Sequence, residues 1–173
     1  MADILNKLRK IVGIINKMLE DGVIDAYALG GATAANIYIQ SFNTRDFDFF
    51  VHVAGNVSML DPLRPIIDYL RPLGHTLDGV EFDMLGQPVQ FIPLPDALTE
   101  EAVMNADTVE LGGFEIKVLS PEYLVAIMLQ THRPTDLARA RIFWDQEKVD
   151  ADGLRILIDR YNLDGQWQRV INL

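Results

Sequence analysis

Two glycines and two aspartates, with 14 residues between Gly31 and Asp46, constrain this chain more than any other feature. The stretch reads YALGGATAANIYIQSFNTRDFDFFVHV. An apolar run, Ala26 to Leu29, ends in Gly30-Gly31, and a helix of small residues is predicted over about 32–41. A strand is predicted over about 46–53, with Asp46 and Asp48 on one face and Phe47 and Phe49 on the other. Two carboxylates about 6–7 Å apart at their Cα atoms can share a divalent cation. Two glycines at a strand-to-helix turn let backbone N–H groups approach a phosphate. Taken singly, Gly-Gly is usually a turn and Asp-x-Asp is usually a pair of solvated acids. Their order and spacing suit one helix and a return into an adjacent strand, and together these parts would make a metal–nucleotide site. If the turn cradles phosphate, Gly31→Val is expected to harm nucleotide binding more than folding.

The rest of the chain reads as strands early and helices late, which is the α+β class. Ile4, Leu5, Leu8, Val12, Ile15 and Leu19 recur at helical spacing over 3–20, and Asp21-Gly22 closes that helix. A helix is predicted over 61–72, a short one over 99–106, and two short strands around Gly112-Gly113. Ser120-Pro121-Glu122 is a helix start, with Ser as N-cap and Pro at N1. Helices over 121–131, 135–147, 152–161 and 165–171 complete the chain. Val80 to Leu94 reads as a hairpin with a type II′ turn at Gly86-Gln87. That register sets Asp83 across from Gln90. It places Val80, Phe82, Met84, Val89 and Phe91 on an apolar face and Glu81, Asp83 and Gln90 on a polar one.

The net charge of −10 opposes general binding of RNA or DNA. A cationic or neutral small molecule, or a protein, suits this field better as a partner. There is no cysteine, so disulfides, thiolate metal sites and cysteine nucleophiles are excluded. No apolar run is long enough for a membrane span, and the N-terminus lacks a signal-peptide pattern. The expectation is a soluble cytoplasmic protein. His52, His75 and His132 have no ligand spacing. Trp144 and Trp167 read as core residues on late helices. Arg133 and Arg139 are candidates for phosphate or acceptor contact, or for pairing with Asp136 or Asp145.

The sequence Gly-Gly, helix, then Thr44-Arg45-Asp46-Phe47-Asp48 and an apolar strand resembles the nucleotidyltransferase-fold superfamily. It is most similar to the small prokaryotic branch of abortive-infection (AbiEii-like) toxin nucleotidyltransferases. The resemblance extends to VQFIPL, to VLSPEYLVAIML and to RPTDLARAR, covering roughly residues 25–145. It implies a mixed sheet flanked by helices, with a nucleotidyltransferase-like core over 1–119. A C-terminal helical portion over 120–173 would pack on that core as one compact unit. It implies transfer of a nucleoside monophosphate from an NTP to an unidentified acceptor, with Mg²⁺ or Mn²⁺ held by Asp46 and Asp48. Gly30, Gly31, Thr44 and Arg45 would face the nucleotide, although strand alternation points Arg45 away from the aspartates. A toxin would bring an antitoxin as partner; a homo-oligomer is the other expectation. The family pattern has a third carboxylate on a later strand, and the matching position here is Gln90. An amide offers a carbonyl oxygen but takes no proton at neutral pH. Asp83 is the substitute that the predicted hairpin offers, making Asp46, Asp48, Asp83 and Gln90 the catalytic set. The alternative is a weakened or inactive nucleotide- or metal-binding domain used for protein interaction.

Overall fold

The computed structural model describes residues 2–39 and 46–172; Thr44 and Arg45 lie outside the described residues. The chain opens with α1 (Ala2–Glu20), whose Leu8, Ile11, Val12, Ile15 and Met18 are buried along one stripe. It continues through β1 (Ile24–Leu29), α2 (Gly31–Tyr38), β2 (Phe47–Val53) and α3 (Arg64–Leu70), the last extended by a 3₁₀ turn at Arg71–Leu73. Three strands follow, β3 (Thr76–Asp78), β4 (Glu81–Asp83) and β5 (Pro88–Pro93), then α4 (Ala97–Met104). The hairpin of β6 (Asp107–Leu111) and β7 (Phe114–Val118) precedes α5 (Pro121–Thr131), α6 (Pro134–Asp145), α7 (Ala151–Arg160) and α8 (Asp164–Ile171). Strands early and helices late is the observed order, so the α+β expectation holds.

The seven strands form one mixed sheet in the order β3-β4-β5-β2-β1-β7-β6. β2 lies near its middle, antiparallel to β1 and parallel to β5. Its alternation decides what each face does. Phe47, Phe49, Val51 and Val53 are buried on one face, where Phe49 stacks on Phe91 at 6.1 Å and meets Tyr27 edge-on at 6.0 Å. Asp48 and Phe50 face the other way, toward α5 and α6. Trp167 is buried on α8 and packs edge-on against the more exposed Trp144, centroids 5.0 Å apart. Among the described residues no helix is long and apolar enough to cross a membrane.

The β4–β5 hairpin corrects the expected register. Its two-residue turn is Leu85-Gly86, closed by Met84 N–H to Gln87 O at 2.9 Å and Gln87 N–H to Met84 O at 3.1 Å. Leu85 has φ 60° and Gly86 has φ 71°, the two positive angles of a type I′ turn. The turn therefore lies one residue earlier than glycine alone suggests. Glu81 now pairs with Gln90, and Asp83 with Pro88. Sliding the turn by one residue changes each partner by two, so the polar and apolar faces survive while the pairs do not. Asp83 instead accepts a hydrogen bond from Gly86 N–H at 2.8 Å and fastens the turn. Val80, expected on the apolar face, precedes the strand and is 66% exposed. Asp83→Ala is expected to cost about 1 kcal/mol, read as a lower denaturant midpoint. No loss would show that the turn holds without this bond.

Candidate functional site

The site begins where β1 turns into α2. Gly30 is the N-cap of α2, and its N–H donates to Asp48 O at 2.8 Å, tying the turn to β2. A Cβ on Gly30 would lie 2.5 Å from the Phe50 ring. Gly31 has φ +58°, and a Cβ there would overlap the Asp48 carboxylate. Both glycines are thus required by what β2 presses against them, not only by the turn. No side chain caps α2, and its first turn carries no acid. Its leading N–H groups, with the positive end of the helix dipole, therefore remain available at the cavity wall. Thr33, which the sequence reading did not single out, donates its hydroxyl to Asp46 O at 2.7 Å. This holds the residue just before β2 against α2.

A cavity of about 940 Å³ opens at this junction. Gly31, Asp46, Asp48 and Gln90 line its sheet side. Asp48 and Gln90 are directly paired neighbours on the parallel strands β2 and β5. Across the cavity stand Gln130, Thr131, Arg133, Asp136 and Arg139, from the end of α5 and from α6. Its apolar wall includes Phe50, Ile92, Leu119, Leu124, Ile127 and Met128. Pro95, Asp96 and Thr99 close one end; Asp96 and Thr99 are engaged with each other in the capping box of α4, Thr99 N–H to Asp96 Oδ1 at 2.9 Å.

The charges in this cavity are arranged against one another. Burial holds the Asp48 carboxyl above the ordinary carboxylate range, and the neighbouring charges of Asp46 and Glu81 push the same way. Arg133 and Arg139 oppose that shift. Asp136 is only 3% exposed and organises the two arginines. Its Oδ2 accepts from Arg133 Nε at 2.6 Å and Thr131 Oγ1 at 2.8 Å; its Oδ1 faces Arg139 Nη1 at 3.5 Å. The guanidiniums therefore pair with a local acid and line the cavity at once, joining two roles that the sequence reading set side by side. Arg141 turns elsewhere, to Asp145 and to the carbonyls of Val170 and Ile171.

The structure thus brings together Gly31, Asp46, Asp48 and Gln90, with Gly30 directly behind them, and sets Asp83 at the far end of its hairpin. Sequence reasoning passed over Thr33, Asp136 as an organising acid, and Glu81. The signal for Glu81 was its place on the polar face that also carries Gln90. His52 pairs with Asp25 at 3.2 Å, and His132 Nε2 meets Arg169 at 2.6 Å. Among the described residues no group of three or more His, Cys, Asp or Glu side chains converges as a ready metal cage.

No family model matches the chain, and no curated protein sequence matches it. Solved structures do. The solution structure of the antibiotic-resistance factor ANT(2'')-Ia aligns with TM-score 0.55 at 12% identity, over 97% of this chain and 96% of its own. ANT(2'')-Ia in complex with adenylyl-2''-tobramycin aligns with TM-score 0.52 at 13% identity, over 91% and 97%. An antigenic nucleotidyltransferase-like protein from Paracoccidioides brasiliensis aligns with TM-score 0.53 at 16% identity, over 94% and 93%. The match runs nearly end to end in each case, so the chain has the nucleotidyltransferase fold.

Proposed function

We propose that this protein transfers a nucleoside monophosphate from an NTP to an acceptor hydroxyl, in the cavity between β2–β5 and α5–α6. The observation that carries this reading is the opposition of two walls. Asp46 and Asp48 stand on the sheet side beside an uncapped helix N-terminus. Arg133 and Arg139 stand opposite, held by the buried Asp136. A triphosphate with its cation has both signs of charge, and this cavity offers both.

The residues fit Mg²⁺ or Mn²⁺. All the nearby donors are hard oxygens, and the proton affinity of Asp48, raised by burial and by neighbouring acids, is relieved by any cation placed between the carboxylates. Asp46 and Asp48 would hold the ion, with the Gln90 amide oxygen beside them. Two carboxylates would leave room for phosphate oxygens and water, the partners Mg²⁺ prefers. When bound, the cation neutralises charge on the transferring phosphoryl group. The chain's own residues do the remaining work. The N–H groups at the start of α2 bind phosphate oxygens. Arg133 and Arg139 bind the leaving end of the triphosphate, and Asp136 keeps their forks oriented. The apolar wall of Phe50, Ile92, Leu124 and Met128 excludes water.

For the acceptor, the net charge of −10 favours a cationic or neutral small molecule, or a protein, over nucleic acid. ANT(2'')-Ia, a structural neighbour, was solved with an adenylylated aminoglycoside, which is consistent with a small hydroxyl-bearing acceptor here. The toxin reading, with its antitoxin partner, rests on the resemblance in sequence alone.

Calorimetry with each of the four NTPs and Mg²⁺ tests the proposal. At least one NTP is expected to bind the wild-type protein. Arg133→Gln and Arg139→Gln are each expected to weaken it about 10- to 100-fold, one charge-assisted contact apiece. Absence of NTP binding, or indifference to both substitutions, would remove the reading.

A further inference from the structure

Hydroxyl attack on phosphorus needs a group to take the proton, and the cavity is short of one. Asp46 and Asp48 are committed to the cation in the reading above. Asp136 is saturated by Thr131, Arg133 and Arg139. Asp96 is engaged with Thr99 at the start of α4. Gln90 is neutral and accepts no proton. Of the carboxylates that β3 and β4 add to this face, Asp83 fastens the hairpin turn and Asp78 stands one strand further out, which leaves Glu81 beside Gln90. Glu81 on β4 pairs directly with Gln90 on β5, which pairs directly with Asp48 on β2. The three residues form one row across adjacent strands, their side chains on the same face. Glu81 and Gln90, as cross-strand neighbours, have Cβ atoms about 4.5–5.5 Å apart. Glu81 is half-buried, and its negative charge is felt at Asp48.

We propose that Glu81 is the general base for the acceptor hydroxyl, a carboxylate standing one strand outside the position that Gln90 occupies. Glutamate is one methylene longer than aspartate, which helps it reach back over Gln90. Glu81 lies outside the residues that wall the cavity, one strand beyond Gln90, which lines it. The acceptor oxygen forms a bond to the α-phosphorus while its proton passes to the Glu81 carboxylate. The bond from the α-phosphorus to the bridging oxygen breaks, and pyrophosphate leaves with the electron pair. Glu81 then returns the proton to solvent. This assignment rests on the nucleotidyltransferase reading.

The test uses an isosteric exchange that conserves charge. Wild type, Glu81→Gln and the double variant Glu81→Gln/Gln90→Glu are given each NTP with Mg²⁺, with water and with tobramycin as acceptors. Pyrophosphate release and NTP affinity are measured, with unfolding midpoints as a control on folding. Glu81→Gln is expected to lose about 10²- to 10⁴-fold in release, with NTP affinity retained. The double variant, which moves the carboxylate in by one strand, is expected to recover much of that rate. Unchanged release in Glu81→Gln, or loss without recovery in a folded double variant, overturns the role of Glu81 alone. Wild-type binding of NTP without pyrophosphate release also overturns it and leaves the nucleotide site standing. Failure of the wild type to bind any NTP overturns the site reading, and this assignment with it.

Discussion

Asp48→Asn is expected to abolish nucleotidyl transfer and, at the same time, to make the protein harder to unfold. The first half follows from the cation site proposed above. Removing one of two carboxylates takes away most of its hold, and several kcal/mol of transition-state stabilisation corresponds to about 10³-fold in rate. The second half follows from the protein without ligand. Burial, then Asp46 and Glu81, raise the Asp48 pKa in the folded state. The folded protein therefore keeps this proton to higher pH than the unfolded chain does. In that window the native state binds more protons, so stability falls as pH rises from the ordinary aspartate range through the raised value. At neutral pH the ionised group is a cost, and the amide removes it. A gain of about 0.5–2 kcal/mol is expected in denaturant unfolding at pH 7, vanishing well below the ordinary range. Mg²⁺ with NTP should stabilise the wild type by mass action and leave Asp48→Asn almost unmoved. A variant less stable than wild type at pH 7, or one retaining turnover, would show that Asp48 is a structural residue.

The arrangement behind this expectation was partly visible in the residues themselves. Asp46 and Asp48 at spacing two, behind two glycines, put two carboxylates and a helix N-terminus within reach of each other, and the cavity is lined by both. Period-2 alternation also assigned Gln90 to the same face correctly. What alternation does not carry is register. A hairpin turn at Leu85-Gly86 and one at Gly86-Gln87 bury the same side chains, so the apolar pattern is blind to the choice between them. The choice depends on Leu85 tolerating a positive φ, held by the bond from Asp83. The consequence is chemical: Glu81, not Asp83, stands beside Gln90. The parallel pairing of β2 with β5 was equally silent, because it joins segments separated by α3 and two strands. β3 was missed because three exposed residues hold no periodic signal. Arg133, Asp136 and Arg139 were legible as a charged helix start. That Asp136 is buried, and so directs both guanidiniums toward the aspartates, comes from how α6 packs against α5.

Gly31 is where the turn, the Asp48 carboxylate and the fold meet, and its substitution should have the largest effect of any single change. The sequence alone suggested that Gly31→Val would harm binding more than folding. The structure adds two costs to folding. At φ +58° a Cβ costs about 1–2 kcal/mol for the left-handed conformation alone, and more when β-branched. The same Cβ would overlap the Asp48 carboxylate, so Asp48 or the start of α2 must move, an overpacking cost of about 1–3 kcal/mol. Gly31→Ala is accordingly expected to lose on the order of 2–4 kcal/mol of stability and to lose detectable NTP·Mg²⁺ binding. A double-mutant cycle separates the two causes. Combining Gly31→Ala with Asp48→Ala removes the overlapping carboxylate and should return about 1–3 kcal/mol, leaving only the backbone strain. Gly30→Ala supplies the contrast. Its φ of −126° is ordinary, so its cost comes from the Phe50 ring and, less, from Leu119, and Asp48→Ala should not relieve it. Strict additivity between Gly31→Ala and Asp48→Ala, together with wild-type nucleotide affinity in Gly31→Ala, would mean that the Asp48 carboxylate does not rest against this glycine, and the site would have to be rebuilt around another contact.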